Sequence, residues 1–242
     1  MKPYQTIPII ECNQPLVPIP DDQFILETPP PYVKLGADYQ GTSPYFVRKE
    51  VLERLFKAKN KLKEIKPHWQ IKIFDAYRPV TVQQFMVDYT FNSICCDRHI
   101  DSNLLTGEQK ASIYQEVYQI WAIPSNNPLT PPPHSTGSAI DLTLVDENGL
   151  EVNMGGEIDE LSERSNPNYY KNSTNSQERV FHENREILLE IMTKGEFRQH
   201  QGEWWHFSYG DQMWAWLQNL DNPSIKTLAK YGKVIEDASK RW

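Results

Sequence analysis

The stretch PPPHSTGSAIDLTLVD, residues 131–146, decides how this chain folds. Three prolines and the small polar residues after His134 are typical of a loop, whereas the alternating pattern of residues 139–145 predicts a strand. His134 and Asp141 are seven positions apart, and side chains an odd number apart point to opposite faces of a regular strand. We therefore expect His134 to lie in a loop at the mouth of the strand that carries Asp141.

A second segment, GEWWHFSYG at residues 202–210, places Glu203 three positions before His206, so this pair also needs a turn or bulge between its members. Together the two segments offer two imidazoles and two carboxylates. Three of these groups could hold a zinc ion and leave one coordination position for water, while the fourth could act as a base. Each residue also has an ordinary explanation, such as a surface histidine, an aspartate paired with an arginine, or the polar edge of an aromatic core.

Composition and charge limit the class of protein. The chain has 242 residues, of which 39% are hydrophobic, so a single domain with a sizeable core is favoured. A net charge of −7 argues against nucleic-acid and anionic-membrane partners and fits a small-molecule substrate better. There is no apolar run of secretory length or of the roughly 20 residues that span a membrane. We predict a cytoplasmic protein with reduced thiols at Cys12, Cys95 and Cys96.

Hydrophobic periodicity and turn residues predict the remaining elements. Strands are expected at residues 70–74, 139–145 and 150–154, the last two joined by a hairpin turn at 147–149. Residues 155–175 are expected to form a long polar loop near the mouth of the site. Ser176 is the predicted N-cap of one helix, and Gly195 is its predicted stop. Helices are expected at residues 44–65, 81–89, 107–122, 177–193 and 211–219.

Arg78 lies just beyond the end of the strand predicted at residues 70–74. A guanidinium is always charged and offers several donors, so it can stabilise the oxyanion of a tetrahedral intermediate. A structural salt bridge to Asp75 or Asp141 is the alternative. His200 is a rival metal ligand that we rank below His206.

The motifs HSTGSAID and EWWHF resemble those of the zinc peptidases of the D-alanyl-D-alanine dipeptidase and carboxypeptidase group. The resemblance extends to FDAYRP at residues 74–79 and NMGGEIDELSERS at residues 153–165, and it is longest for the dipeptidases that cleave free D-Ala-D-Ala. It implies one Zn²⁺ per chain, held by His134, Asp141 and His206. It also implies that Glu203 is the general base and that Arg78 faces the reacting carbonyl.

The resemblance further implies a Hedgehog/DD-peptidase-like α+β fold, with helices packed on a small, mostly antiparallel sheet. We predict a Pro-rich arm at residues 1–43, a zinc peptidase domain at 44–217 and a C-terminal extension of unassigned role at 218–242. Asp159, Trp205 and Ser135 are candidate substrate contacts. The sequence leaves the oligomeric state open.

Pro132 departs from the pattern of the group, which usually has Ser two residues before the first histidine, close to the substrate. This departure bears on the choice of dipeptide more than on the chemistry. Two other functions stay open. One is a carboxypeptidase or endopeptidase acting on cell-wall stem peptides, and the other is a non-catalytic, zinc-stabilised binding domain.

Overall fold

Strand β5, predicted from the alternation in residues 139–145, is the central strand of the main sheet. The computed structural model describes residues 2–235. The strands within these residues are β1 (Leu16–Pro18), β2 (Ile25–Leu26), β3 (Phe46–Arg48), β4 (Gln70–Asp75), β5 (Ala139–Val145), β6 (Arg198–Gln199) and β7 (His206–Ser208). The helices are α1 (Pro31–Lys34), α2 (Lys49–Ile65), α3 (Val80–Asp97), α4 (Gly107–Ile120), α5 (Ser176–Lys194) and α6 (Gln212–Asp221).

The main sheet has the strand order β2-β4-β5-β7-β6, and all its pairings are antiparallel except that of β2 with β4. Helices pack against this sheet, which confirms the predicted α+β fold with a small, mostly antiparallel sheet. The two faces of β5 differ because its side chains alternate. Ile140, Leu142 and Leu144 belong to the main hydrophobic core, and Asp141 therefore points to the other face.

Helix α2 confirms the predicted amphipathic pattern, because its apolar positions face the core. Val51, Leu55, Ala58 and Leu62 are at most 1% exposed and pack with residues of the sheet and of α5. The predicted start at residue 44 is wrong by five residues. Residues 46–48 form β3 instead, because they pair antiparallel with β1.

Helices α3 and α4 form a second hydrophobic cluster with Tyr32 and Trp121. Helix α3 continues to Asp97 rather than ending at residue 89. The reason is tertiary, since Phe91, Ile94 and Cys95 extend its buried face into this cluster. Helix α4 matches its prediction within two residues at its C-terminal end.

Two further local predictions need correction. Residues 150–154 do not form the expected returning strand, because only Glu151 makes a single bridge to Val145. Asn175, not Ser176, caps helix α5, since its side-chain oxygen accepts from the backbone N–H groups of Gln177 and Glu178. Gly195 ends that helix as predicted.

The two terminal regions both contact the rest of the chain. The N-terminal region supplies β1 to a small sheet and β2 to the main sheet, and Ile9 makes a parallel bridge to Ala229. Tyr231 is fully buried in the main core. Residues 236–242 of the predicted C-terminal extension lie outside the described part of the chain. None of the helices in residues 2–235 is long and apolar enough to cross a membrane.

Candidate metal centre and catalytic cavity

A β-bulge in β4 brings three polar residues to one face of the sheet. Ile73 pairs with Leu142, but Asp75 pairs with Asp141, so Phe74 is the additional residue in β4. Without this residue Asp75 would share the core face of Ile73, because side chains two apart in a strand point the same way. Asp141 in turn pairs directly with His206 on β7. Asp75, Asp141 and His206 therefore lie side by side on the face opposite the main core.

His134 completes the group from the loop before β5. It sits in a 3₁₀ turn, Pro133–Thr136, which agrees with the predicted loop position. Nε2 of His134 lies 3.2 Å from Nδ1 of His206 and 3.1 Å from Oδ2 of Asp141. Nδ1 of His206 lies 3.1 Å from Oδ1 of Asp141. All three residues are buried.

These three side chains fit a zinc ion. The two imidazole nitrogens are 3.2 Å apart, close to the spacing of about 3.3 Å between ligand atoms of a tetrahedral ion with bonds of about 2.0–2.1 Å. The carboxylate of Asp141 lies 3.1 Å from each imidazole, through a different oxygen in each case. Nδ1 of His134 lies 2.7 Å from the carbonyl oxygen of Ala76, which can only accept a hydrogen bond. Nδ1 therefore carries the proton, and Nε2 directs its lone pair towards the other two donors.

Arg78 is fixed by several partners around the same group. Its Nε donates to Asp75 at 2.9 Å, its Nη1 to Gln83 at 3.0 Å, and its Nη2 to Tyr32 and Asp141 at 2.9 and 3.1 Å. The structural salt bridges of Arg78 to Asp75 and to Asp141 are therefore both present. These contacts engage four of the five guanidinium N–H groups, and the side chain also lines the cavity beside His134.

Tyr32 is a site residue that the sequence did not reveal. It comes from α1, in the Pro-rich N-terminal region, and its hydroxyl contacts Arg78 and donates to Asp159 at 2.9 Å. Nothing in the sequence distinguishes it from the other tyrosines, because its position depends on how the N-terminal region packs against α3 and α4. Asp159 adopts a φ of 63°, in the left-handed region that Asp tolerates better than most residues.

Burial and neighbouring charges change the acidity of the carboxyl groups. Burial raises the pKa of Glu203 to about 8, with His206 opposing the shift and Asp141 adding to it. Burial likewise raises the pKa of Asp159 to about 7, and the charge of Asp141 contributes. Burial alone would also raise the pKa of Asp141, but His134 and His206 outweigh it and hold that pKa far below its usual range.

Of the other predicted site residues, Glu203, Trp205 and His200 line the cavity and Ser135 does not. Glu203 lies just before β7, with its Oε2 3.7 Å from Nδ1 of His206, and Trp205 lines the same cavity. His200, the rival ligand, is not part of the three-residue group, and its Nδ1 lies 3.4 Å from Oε1 of Glu203. Ser135 does not line the cavity, because its hydroxyl donates to the backbone carbonyl of Arg78 at 2.8 Å.

The cavity itself is small, with a volume of about 40 Å³. Its walls come from many parts of the chain. They are the N-terminal segment, the residues from the end of β4 into α3, the end of α4, the 3₁₀ turn before β5, β5 itself, the loop after β5, the segment around β7 and the start of α6. The residues that line the cavity include Lys2, Tyr4, Arg78, Trp121, Ala122, His134, Asp141, Asp159, His200, Glu203, Trp205, His206 and Met213. The cavity therefore places a candidate base beside the candidate metal ligands, an arrangement that suits metal-assisted hydrolysis.

A buried His-Asp-His group beside a buried carboxyl, on this α+β fold, is the arrangement expected of the metallopeptidase class. A comparison with protein families identifies the particular family of metallopeptidases. The family described as D-ala-D-ala dipeptidase matches residues 27–226, and the chain belongs to that family.

Known proteins of similar sequence agree with this family. A D-alanyl-D-alanine dipeptidase of Synechocystis sp. is 52% identical over 240 residues, which cover 97% of each chain. A D-alanyl-D-alanine dipeptidase of Escherichia coli is 46% identical over 74 residues, or 31% of this chain and 36% of that one. The solved D,D-pentapeptidase VanY in complex with Zn(II) aligns with a TM-score of 0.46 at 13% identity, covering 91% of this chain and 95% of that one.

Proposed function

We propose that this chain hydrolyses the peptide bond of free D-Ala-D-Ala in a zinc-dependent reaction with Glu203 as the general base. Dipeptide hydrolysis is the activity of the family to which the chain belongs. The observation that carries the proposal is the triangle of donor atoms on His134, Asp141 and His206, with the Glu203 carboxyl in the same cavity. A zinc ion held by these three residues would supply a bound water of lowered pKa and an electrophile for the carbonyl oxygen.

Glu203 is suited to move the proton. Its carboxylate accepts a proton from the attacking water at Oε1 or Oε2 and then returns this proton to the leaving amine. Burial raises the pKa of Glu203 above the ordinary range of a carboxyl group, which favours the return of the proton to the leaving amine. The apolar ring of Trp205 lines this part of the cavity and lowers the local dielectric.

Arg78 stabilises the negative charge that develops on the carbonyl oxygen. Its contacts with Asp75, Gln83 and Tyr32 hold the guanidinium in one orientation, so little reorganisation is needed during the reaction. Asp159 also lines the cavity, and its carboxylate binds the free ammonium group of the dipeptide. The reaction takes place in the cytoplasm, with a small dipeptide as the partner of the chain.

A free dipeptide and a cell-wall stem peptide are the two substrate classes that an assay must distinguish. Hydrolysis assays with D-Ala-D-Ala, L-Ala-D-Ala and a pentapeptide ending in D-Ala-D-Ala compare these substrates directly. We expect D-Ala-D-Ala to have the highest kcat/KM, and a preference for the pentapeptide would contradict the proposal.

Substitutions test the assigned roles. Glu203→Gln should lower kcat by about 10²- to 10⁴-fold, the usual contribution of a general base, while the zinc content stays at one per chain. His206→Ala should lose the metal itself. Glu157→Gln is the matched control, because Glu157 is an exposed carboxylate. Full activity of Glu203→Gln would refute its role as a base, and full zinc content of His206→Ala would refute the ligand set.

A further inference from the structure

The N-terminal segment forms one wall of the catalytic cavity, where Lys2 and Tyr4 are lining residues. Tyr4 lies in the 3₁₀ turn Pro3–Thr6 and is buried against Met213 and Leu217 of α6. Nε2 of Gln212, also in α6, donates to the backbone carbonyl of Ile7 at 2.7 Å. Helix α6 therefore holds this segment in place beside the cavity.

Lys2 reaches across the mouth of the cavity to helix α4. Its Nζ donates to the backbone carbonyl of Tyr118 at 3.1 Å, next to the cavity-lining residues at the end of that helix. The ammonium group also acts on His200, another lining residue of the cavity. Burial lowers the pKa of His200 to about 3, and the electrostatic influence of His206 and Lys2 adds to this shift.

The charged groups of the cavity must match a substrate that carries two opposite charges. A free dipeptide has an ammonium group at one end and a carboxylate at the other. Asp159 is available for the ammonium group, and Arg78 is already bonded to two carboxylates. Among the cavity-lining residues that the structure describes, Lys2 is the cation without a carboxylate partner.

We propose that Lys2 is a specificity-determining residue that binds the free carboxylate of the dipeptide. This inference rests on the proposed function and names the group that recognises the C-terminal end of its substrate. An ammonium group has three N–H donors, so Lys2 can exchange the neutral carbonyl of Tyr118 for a charged acceptor. The enzyme then selects a free carboxylate directly after the scissile bond's second residue, because amidation removes this charge and C-terminal extension moves it away.

The test compares D-Ala-D-Ala with its C-terminal amide in the zinc-loaded, full-length enzyme. Lys2→Met should lower kcat/KM for the free acid by about 10- to 100-fold, mainly through KM, because a charge-assisted hydrogen bond is lost. The value for the amide should stay unchanged, and Lys2→Arg should restore the preference for the free acid. Lys233→Met is the matched control, since its ammonium bonds Asn126 at 2.9 Å, and Lys233 does not line the cavity.

Two results would overturn the role of Lys2. One is an equal loss for both substrates, which indicates that Lys2 only shapes the wall, and the other is no loss for either. Calorimetric binding of the same two compounds to wild type and Lys2→Met separates this proposal from the proposed reaction. If the wild type binds the free acid more tightly, Lys2→Met loses this preference and the wild type cleaves neither compound, the reaction is wrong and Lys2 recognition stands. If the wild type shows no preference for the free acid, Lys2 recognition is wrong.

Discussion

Glu50, near the start of α2, should make the stability of this protein depend strongly on acidic pH. Its carboxylate accepts hydrogen bonds from Arg54 at 3.0 Å, Tyr209 at 2.7 Å and Lys230 at 3.1 Å. Partial burial alone would raise its pKa, but the hydrogen bonds from Tyr209, Arg54 and Lys230 outweigh burial and lower the pKa to about 2. These contacts connect α2 with the residues after β7 and with the C-terminal region.

The size of the effect follows from the pKa difference between the folded and unfolded states. A decrease from the ordinary value of 4.5 to about 2 corresponds to about 3 kcal/mol at most, since one pKa unit is worth about 1.4 kcal/mol. The side chain is 20% exposed, so solvent screening reduces this contribution to about 1–3 kcal/mol. Because the folded pKa is lowered, the contribution is complete above the unfolded pKa and is lost as pH falls towards the folded value.

We therefore expect Glu50→Gln to lower the free energy of unfolding by about 1–3 kcal/mol at neutral pH. The difference from wild type should shrink below about pH 4 and be nearly gone close to pH 2. Urea unfolding, followed by tryptophan fluorescence at a series of pH values, measures this difference. Glu53→Gln on the exposed face of the same helix is the control, and it should change stability by less than about 0.5 kcal/mol.

Two results would refute this reasoning about Glu50. The first is a Glu50→Gln difference that stays constant between neutral pH and about pH 3, because that would show no proton uptake linked to unfolding. The second is a loss no larger than that of Glu53→Gln. A double variant with Lys230→Met identifies the partner, since the two substitutions should then be less than additive.

Two further predictions concern the surroundings of the metal centre. Gly137 has a φ of 72°, and a Cβ there would lie 2.4 Å from Leu16, so Gly137→Ala should lower the free energy of unfolding by about 1–3 kcal/mol. Thermal unfolding measures this loss, and an unchanged melting temperature would contradict it. Asp75→Asn should weaken zinc binding by about 10- to 100-fold, because Asp75 orients Arg78 and lies 3.5 Å from His134. Competition with a chelator measures the affinity, and wild-type affinity would exclude a positioning role.

The metal-ligand candidates could be predicted from the sequence because their signals are local. His134 follows a proline run and precedes a strand of alternating pattern, so its loop position and the strand of Asp141 were both predictable. The apolar face of α2 was predictable for the same reason, since helical periodicity needs no information beyond the helix itself. The start of α2 was not, because residues 46–48 are drawn into a strand by pairing with β1.

The surroundings of these residues were decided by tertiary structure alone. Phe74 shows no local sign of a bulge, yet its insertion turns Asp75 from the core face to the face of Asp141. Tyr32 contacts Arg78, and Lys2 lines the cavity, only because the N-terminal region packs against α3, α4 and α6, far from them in sequence. The sequence by itself determined which groups could bind a metal, since residue type and local periodicity set that chemistry. Only the folded chain decided which residues orient and enclose those groups, because such contacts depend on strand register and on packing between distant segments.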